Sequence, residues 1–192
     1  HIGLLFGTTW EYDRLHLNDA EYINYTDNFV RRGDIMLSIR HLSTVLLYRP
    51  SQNKVVWLKT GPFLSQHDID YLGDGKFSIF GNDNVRFGNV RFGDPWLVYE
   101  SSAVYIYDME RDVVTRETDL TNADIAMRGS GRLQVLSNGN YFIDDTKRAL
   151  LLSPEGKVLL SYSHEIGPGK VGAMNWSRYL ADIPKIYFKE EE

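Results

Sequence analysis

The stretch His16-Leu-Asn-Asp-Ala-Glu-Tyr-Ile23 decides the fold, because segments of the same kind occur twice more along the chain. They are Gln66-His-Asp-Ile-Asp-Tyr-Leu72 and Gly131-Arg-Leu-Gln-Val-Leu136, and two of the three carry a histidine just before an apolar alternating run. Each leads into a turn and an apolar strand, over 33–39, 74–80 and 138–143. Alternating runs joined by glycine-bearing turns predict antiparallel hairpins.

A second hairpin follows each of these hairpins, around turns that carry acidic residues, lysine or glycine, over 48–57, 106–114 and 152–159. A repeat of about 40 residues with four short strands is the signature of a β-propeller blade. The sequence therefore predicts an all-β chain in which residues 1–192 form one partial β-propeller domain. Its four-stranded antiparallel blades cover about 16–59, 65–118 and 130–164, and a terminal segment covers 165–192.

Three blades cannot close a ring, so we expect further propeller blades from a longer chain or from a second copy of this one. The differences among the three blades favour the longer chain. The second blade also carries an insertion over Asn84–Ser101, in which Asn-Val-Arg-Phe-Gly occurs at 84–88 and again at 89–93. Long insertions in compact folds are usually surface loops. We expect a surface hairpin here, and its role stays open.

Composition narrows the classes of function. A formal net charge of -5 over 192 residues argues against a nucleic-acid partner, which needs a basic face. The chain has no cysteine, which excludes thiolate zinc sites, disulfides and cysteine nucleophiles. It has no run of about 18 apolar residues, so no membrane-spanning helix is predicted. The residues alone do not assign a compartment.

The candidate site follows from the blade pattern. The innermost strand of a blade lines the central channel of a propeller, and residues at its entry end face the mouth where ligands collect. His16 and His67 occupy equivalent positions in adjacent blades, with Asn18 and Asp68 close by in sequence. Arg40 ends the second strand of the first blade, and in an antiparallel pair that end lies beside the start of the first strand. We therefore expect Arg40 next to His16, reaching towards His67.

These residue types suit the transfer of a tetrahedral anion through a histidine adduct. A neutral imidazole is a nucleophile, and a second histidine moves protons. An arginine fork binds sulfuryl or phosphoryl oxygens. Acyl transfer fits less well, because the chain has no Gly-x-Ser-x-Gly motif.

Other interpretations stay open at this point. A histidine that begins a strand is often a structural hydrogen-bonding group, which is the role we expect for His41 and His164, and Arg40 suits a salt bridge between blades. A metal bound by His16, His67 and Asp68 is disfavoured, because their spacing lacks a local metal-binding motif and Arg40 lies among them. We expect no metal and no cofactor.

The chain resembles the arylsulfotransferase family. The resemblance rests on His16-Leu-Asn18, on Gly33-Asp-Ile-Met-Leu-Ser-Ile-Arg40-His-Leu-Ser-Thr-Val45, on Tyr48–Trp57, on Gly61-Pro-Phe-Leu-Ser-Gln-His-Asp68 and on Ile79-Phe-Gly-Asn-Asp83. The third blade and Trp176-Ser-Arg178 extend it towards the carboxy-terminal part of that family. It implies a six-bladed propeller that moves sulfate from an aryl sulfate to a phenol without a nucleotide donor.

The resemblance also implies roles for particular residues. His67 of the Gln-His motif corresponds to the nucleophile that becomes sulfated, and His16 and Arg40 correspond to its partners. The implied cycle is ping-pong through sulfohistidine, with His16 handling the phenolic proton and Arg40 binding the sulfuryl oxygens. Asn18 and Asp68 are the expected substrate-binding residues.

The chain departs from the family pattern after the Gln-His strand. The Phe-Asp-Asn motif of the family is replaced here by Phe80-Gly-Asn-Asp83. The sequence therefore leaves open which residues of this strand contact and support His67. Family resemblance also suggests a periplasmic or membrane-anchored extracytoplasmic location. The alternative function is a propeller that binds a ligand or a protein without turnover, because a fold does not determine a function.

Overall fold

The computed structural model describes residue 13 and residues 15–86, 96–98 and 101–181. These residues form three four-stranded antiparallel sheets and two two-stranded hairpins. The first sheet contains, in spatial order, β1 (Leu17–Tyr22), β2 (Ile35–Ile39), β3 (Thr44–Arg49) and β4 (Lys54–Thr60). Within the described part of the chain, the helices are short 3-10 turns at Arg40–Leu42, Pro50–Gln52 and Thr121–Ala123.

The second sheet is interrupted by the insertion. It begins with β5 (Asp68–Gly73) and β6 (Lys76–Gly81), and a separate hairpin of β7 (Asn84–Arg86) and β8 (Trp96–Val98) follows. β9 (Ala103–Asp108) and β10 (Val113–Asp119) then complete the sheet in the order β5-β6-β9-β10. The insertion therefore lies between the second and third strands of this sheet. Its residues 87–95 and 99–100, and with them most of the tandem repeat, lie outside the described residues.

The third sheet contains, in spatial order, β11 (Arg132–Val135), β12 (Tyr141–Asp144), β13 (Ala149–Leu152) and β14 (Val158–Tyr162). A hairpin of β15 (Glu165–Gly167) and β16 (Lys170–Val171) follows it. The prediction of an all-β chain with four-stranded antiparallel sheets is confirmed. The number of blades and the closure of a ring stay predictions. The sequence over 1–15 is typical of the last strand of a preceding unit and a connection into β1, but its residues 1–12 and 14 lie outside the described residues.

Local sequence accounts for the tight hairpin between β5 and β6. Asp74 and Gly75 both have positive φ, at 47° and 72°. A two-residue turn of this kind matches the twist of the strands it joins, and Asp-Gly is a preferred sequence for it. The hydroxyl of Tyr71 accepts the Gly75 N–H at 2.8 Å, so this backbone donor of the turn has a partner on β5. The register shifts by one residue between Tyr71 and Gly73, and Asp68 pairs with Phe80 at the far end of the hairpin.

The core lies in two clusters, and each is shared between neighbouring sheets. Met36 and Leu47 of the first sheet pack with Phe77 and Tyr107 of the second in one cluster. The other cluster is formed by side chains of the second and third sheets, namely Phe80, Val104, Leu133, Tyr141, Ile143, Leu150 and Leu152, with Leu120, Ala123 and Ile125 from the connection between them. Apolar side chains on one face of each sheet thus become buried against the next sheet.

Carboxylates join the first strands of the three sheets, which lie side by side as β1, β5 and β11. Asp19 Oδ2 accepts the Ile69 N–H at 3.0 Å and Glu21 Oε2 accepts the Tyr71 N–H at 2.7 Å. Asp68 Oδ2 accepts the Leu133 N–H at 2.7 Å. An edge strand exposes a row of N–H groups that need partners. Side chains of the preceding strand supply these partners, and this places the entry ends of the three strands next to one another.

Burial of Glu21 and Asp70 predicts that the stability these two carboxyl groups contribute falls as the pH rises. Burial, supported by the charges of Asp70 and Asp19, raises the pKa of Glu21 to about 7. Burial and the charge of Asp19 raise the pKa of Asp70 to about 6. Carboxyl groups of the unfolded chain ionise near pH 4, so between about pH 4 and 7 Glu21 and Asp70 bind more protons in the folded protein than in the unfolded chain. The stability that these two carboxyl groups contribute therefore decreases across this range.

The test is urea unfolding at about pH 5 and about pH 8 for the wild type and for Glu21→Gln. Glutamine keeps an oxygen that accepts the Tyr71 N–H, but it carries no ionisable group, so the variant should lose less stability than the wild type between the two pH values. Glu110→Gln, at an exposed position, is the matched control and should follow the wild type. A Glu21→Gln variant with the full pH dependence would show that Glu21 does not contribute to it.

Candidate active site

His67 lies at the entry of β5, and both of its ring nitrogens are hydrogen-bonded. Asn82 orients the ring, because its Nδ2 donates to the carbonyl oxygens of Ser130 at 2.9 Å and Met127 at 3.3 Å. The amide oxygen of Asn82 therefore faces His67 Nδ1, 2.6 Å away. An amide oxygen only accepts, so Nδ1 carries the proton and Nε2 carries the lone pair. His67 Nε2 accepts the Ser130 N–H at 2.9 Å.

His67 is neutral at neutral pH. Burial lowers the pKa of its ring to about 4, and the nearby charges of Arg40 and His16 lower it as well, against the opposing effect of the hydrogen bond that Nδ1 donates to Asn82. A neutral imidazole with its proton held on Nδ1 has a nucleophilic nitrogen at Nε2. The surroundings of His67 therefore keep the ring in the form that can attack an electrophile.

The peptide before His67 is held by side chains of the first sheet. Gln66 is fully buried, and its Nε2 donates to Ser38 Oγ at 3.1 Å and to the Thr44 carbonyl oxygen at 3.0 Å. Asn18 Nδ2 donates to the Gln66 carbonyl oxygen at 2.7 Å. The Gln-His pair is thus fixed by a neighbouring sheet, and Asn18 contributes directly to the position of His67.

His16 faces His67 from the start of β1. The two ring centroids are 6.3 Å apart and the rings are nearly perpendicular. Asp13 holds His16 from two sides, since its Oδ1 accepts the His16 N–H at 2.7 Å and its Oδ2 lies 2.5 Å from Nδ1. The other face of His16 stacks on His41, with ring centroids 4.7 Å apart. Because a carboxylate accepts the proton at Nδ1, Nε2 is the nitrogen of His16 that can exchange a proton with a ligand.

Arg40 lies beside both histidines, as the strand pairing predicted. It is the first residue after β2, and its backbone N–H donates to the His16 carbonyl oxygen at 3.0 Å. Its side chain is buried with 9% exposed, and Nη2 donates to the Arg128 carbonyl oxygen at 3.1 Å. Its charge also lowers the pKa of His67. Arg40 therefore adds a buried positive charge next to the neutral His67.

A cavity of about 350 Å³ opens between the first and third sheets and the terminal segment. Its lining contains His16, Leu17, Asn18, His67, Ser130, Gly131, Arg132, Asp144, Thr146, Asn175 and Trp176. Three of the sequence-predicted residues, His16, Asn18 and His67, thus meet at one cavity. Asp68 is 3% exposed and accepts the Leu133 N–H, so its described contact is with the next strand.

Asn82 and Asp13 are site residues whose role the sequence did not reveal. Asn82 follows Gly81, at which the resemblance leads one to expect an aspartate. A Cβ atom at Gly81 would lie 2.5 Å from Tyr105 Cε2, so the Tyr105 ring occupies the space of that side chain. The Tyr105 hydroxyl donates to Asp83 Oδ2 at 2.7 Å. The strand end is therefore anchored by Asp83, and Asn82 remains next to His67.

The terminal segment that contains Trp176 docks on the third sheet. Asp144 Oδ2 accepts the Ser177 N–H at 2.8 Å, and Gln134 Oε1 accepts the Tyr179 N–H at 3.2 Å. The sequence predicted a terminal segment over 165–192, and its residues 175–180 dock on the third sheet without forming a strand. Within the ranges that the structure describes, no group of three His, Cys, Asp or Glu side chains is arranged to bind a metal. The same ranges contain no helix that is long and apolar enough to span a membrane.

Comparison with known proteins decides the family. The sequence model of the arylsulfotransferase (ASST) family matches residues 7–165, which is most of the chain. The chain belongs to the arylsulfotransferase family. The resemblance that the His-x-Asn and Gln-His motifs indicated is thereby confirmed, and family membership supports a sulfotransferase-like function in general terms.

Two further comparisons add little to this assignment. The comparison with curated proteins gives no match. Among solved structures, the arylsulfotransferase chain is similar to a protein of unknown function from Bacteroides caccae, with 12% sequence identity and a TM-score of 0.33. The similarity covers 62% of this chain and 54% of that one, so the chain spans about half the length of that relative.

Proposed function

We propose that this chain carries the nucleophile of a sulfotransferase that moves a sulfuryl group from an aryl sulfate to a phenol by a ping-pong mechanism, through sulfohistidine at His67. The observation that carries the proposal is the state of His67. The ring is buried and neutral, its proton is directed to Asn82, and Arg40 and His16 lie beside it. Family membership supports the same class of reaction.

In the first half-reaction, the lone pair on His67 Nε2 attacks the sulfur of the aryl sulfate. The N–S bond forms as the S–O bond to the aryl group breaks, and the leaving phenolate takes a proton from His16 Nε2. The Ser130 N–H donates a hydrogen bond to the Nε2 lone pair, and this hydrogen bond must break before the attack. Arg40 balances the negative charge of the sulfuryl oxygens as they spread in the transition state.

In the second half-reaction, an acceptor phenol transfers its proton to His16 Nε2 and its oxygen attacks the same sulfur. The N–S bond breaks and the electron pair returns to His67 Nε2. The proton on Nδ1 stays in place throughout, because Asn82 offers an amide oxygen that cannot remove it. The sulfated ring therefore keeps a positive charge, which makes neutral His67 a good leaving group.

The proposal extends to the whole protein. The three sheets are proposed blades of a six-bladed ring, with the remaining blades supplied by a longer chain, and an extracytoplasmic location belongs to the same proposal. Asn18 has two proposed roles, since it lines the cavity and also binds the peptide before His67. Asp68 is hydrogen-bonded to the next strand, so we propose that it supports the structure of the site.

The test is to trap the adduct. The full-length protein is mixed with 4-nitrophenyl sulfate in the absence of an acceptor, and nitrophenolate release is followed with time. We expect a burst of one nitrophenolate per active site, followed by a slow phase, and a sulfuryl group on the peptide that contains His67, found by mass spectrometry under basic conditions. Addition of a phenol should discharge the adduct and form the new aryl sulfate. A burst with the label on another residue would reject His67 as the nucleophile.

The second candidate function is ligand binding without turnover, and one observation favours it. Both ring nitrogens of His67 already have partners, Asn82 and the Ser130 N–H, as a structural histidine would have. In that case 4-nitrophenyl sulfate gives neither a burst nor a labelled peptide. Binding of an aryl ligand would then be the remaining activity of the cavity.

A further inference from the structure

Trp176 is an exposed aromatic residue at the cavity that holds His67. It lines the cavity and is 66% exposed, which is unusual for so large an apolar side chain. Its backbone has φ of 67°, in the left-handed region that bulky residues rarely adopt. Backbone strain of this kind persists only where neighbouring contacts hold it, and such positions concentrate at ligand-binding sites.

The contacts that hold Trp176 come from the third sheet, including the loop between β12 and β13. After Trp176, the N–H of Ser177 donates to Asp144 Oδ2 at 2.8 Å. Before Trp176, the N–H of Met174 donates to the Thr146 carbonyl oxygen at 2.7 Å. The Arg132 guanidinium lies 6.0 Å from the centre of the indole ring. The ring is therefore placed by its surroundings, while most of its surface stays open to a ligand.

We propose that Trp176 is the platform on which the aromatic ring of the substrate stacks. This inference rests on the proposed function, because it assumes that His67, which lines the same cavity, accepts the sulfuryl group. An indole offers a flat apolar face and favours stacked or edge-on contacts with other aromatic rings. In a ping-pong cycle the first phenol leaves before the second arrives, so one platform serves both the donor and the acceptor.

The proposal makes Trp176 a residue that determines specificity. Planar aromatic alcohols gain the stacking contact, whereas aliphatic ring alcohols of similar size gain only contact with the apolar surface. The contact is the same in the substrate and in the transition state, because the aryl ring itself does not react. Loss of the indole should therefore raise KM and leave kcat nearly unchanged.

The test uses binding without turnover, so that it does not depend on sulfuryl transfer. The probes are 2-naphthol and its saturated counterpart decahydro-2-naphthol, titrated into the full-length protein by calorimetry with no sulfate donor present. We expect 2-naphthol to bind more tightly than decahydro-2-naphthol, and Trp176→Leu to weaken 2-naphthol binding by about 5- to 10-fold. Trp176→Phe should recover most of that loss. Tyr162→Leu, at an exposed position on β14, is the matched control and should bind like the wild type.

Unchanged 2-naphthol binding in Trp176→Leu would overturn the proposal, and so would a wild type that binds decahydro-2-naphthol as tightly as 2-naphthol or binds neither alcohol. Thermal unfolding of each variant establishes that it is folded. Naphthol binding that depends on Trp176 in a protein that shows no burst with 4-nitrophenyl sulfate would support the aromatic platform and reject the transferase. The two proposals can therefore fail separately.

Discussion

His67→Gln is expected to lower kcat/KM for transfer from 4-nitrophenyl sulfate by about 10³-fold or more, as the loss of a nucleophile does in enzymes that form a covalent intermediate. Glutamine is chosen because it can reproduce both hydrogen bonds of the ring. Its amide nitrogen can donate to Asn82 Oδ1, and its amide oxygen can accept the Ser130 N–H. A structural role for His67 is thereby largely preserved, while the nucleophilic lone pair on nitrogen is removed.

The matched control is His164→Gln, which makes the same change at an exposed histidine outside the cavity lining. The sequence predicted a structural role for His164, but its side chain is exposed in the structure, so the transfer rate and unfolding temperature of this variant should equal those of the wild type. A His67→Gln protein that folds normally and still transfers sulfate at more than about a tenth of the wild-type rate would contradict the assignment of His67 as nucleophile. Loss of folding together with activity would point to the structural role, and the adduct-trapping experiment on the wild type then decides between the two.

The strands and the meeting of the two histidines could be predicted from the sequence for one physical reason. A period of two in apolar residues reports which face of a strand is buried, and a turn such as Asp74-Gly75 ends the strand at a defined place. Once the repeats are aligned in this way, residues at equivalent positions of adjacent sheets must be close in space. This is why His16 and His67 were expected at one cavity, and their ring centroids are 6.3 Å apart.

The contacts that set the chemistry of His67 could not be predicted in this way. The hydrogen bond between Ser130 N–H and His67 Nε2 joins residues 63 positions apart, and it depends on the path of an irregular loop. The backbone of such a loop has no period in the sequence. Asn82 was visible in the Phe-Gly-Asn-Asp motif, but its effect on the ring depends on the carbonyl oxygens of Met127 and Ser130. Trp176 likewise reaches the cavity through a left-handed backbone conformation that a bulky side chain does not predict.

The loop that donates the Ser130 N–H to His67 packs closely against the second sheet at Gly131. Gly131 follows Ser130 and has φ of 101°, in a region that side-chain-bearing residues rarely adopt. A Cβ atom here would come closer than van der Waals contact to Phe80 Cε1, and within 3.0 Å of Cδ1. Phe80 is fully buried in the cluster between the second and third sheets, so its ring has little room to move. We therefore expect the close approach of Gly131 to Phe80 to set how far the Ser130 N–H lies from His67.

Gly131→Ala is accordingly expected to lower the free energy of unfolding by about 2–5 kcal/mol, from about 1–2 kcal/mol for the backbone conformation and about 1–3 kcal/mol for overpacking against Phe80. Urea unfolding measures the change.

Gly139→Ala separates the two contributions to the effect of Gly131→Ala. Gly139 also has a positive φ, of 85°, but a Cβ atom there would lie 3.7 Å from its nearest neighbour, Pro154 Cγ, at ordinary contact distance. This control should lose only the cost of the backbone conformation, so the additional loss in Gly131→Ala measures the clash with Phe80. If both variants lose the same free energy, the Phe80 ring yields to the new methyl group. The position of Ser130 over His67 would then have to be set by Asn82 and Arg40 instead of by this packing.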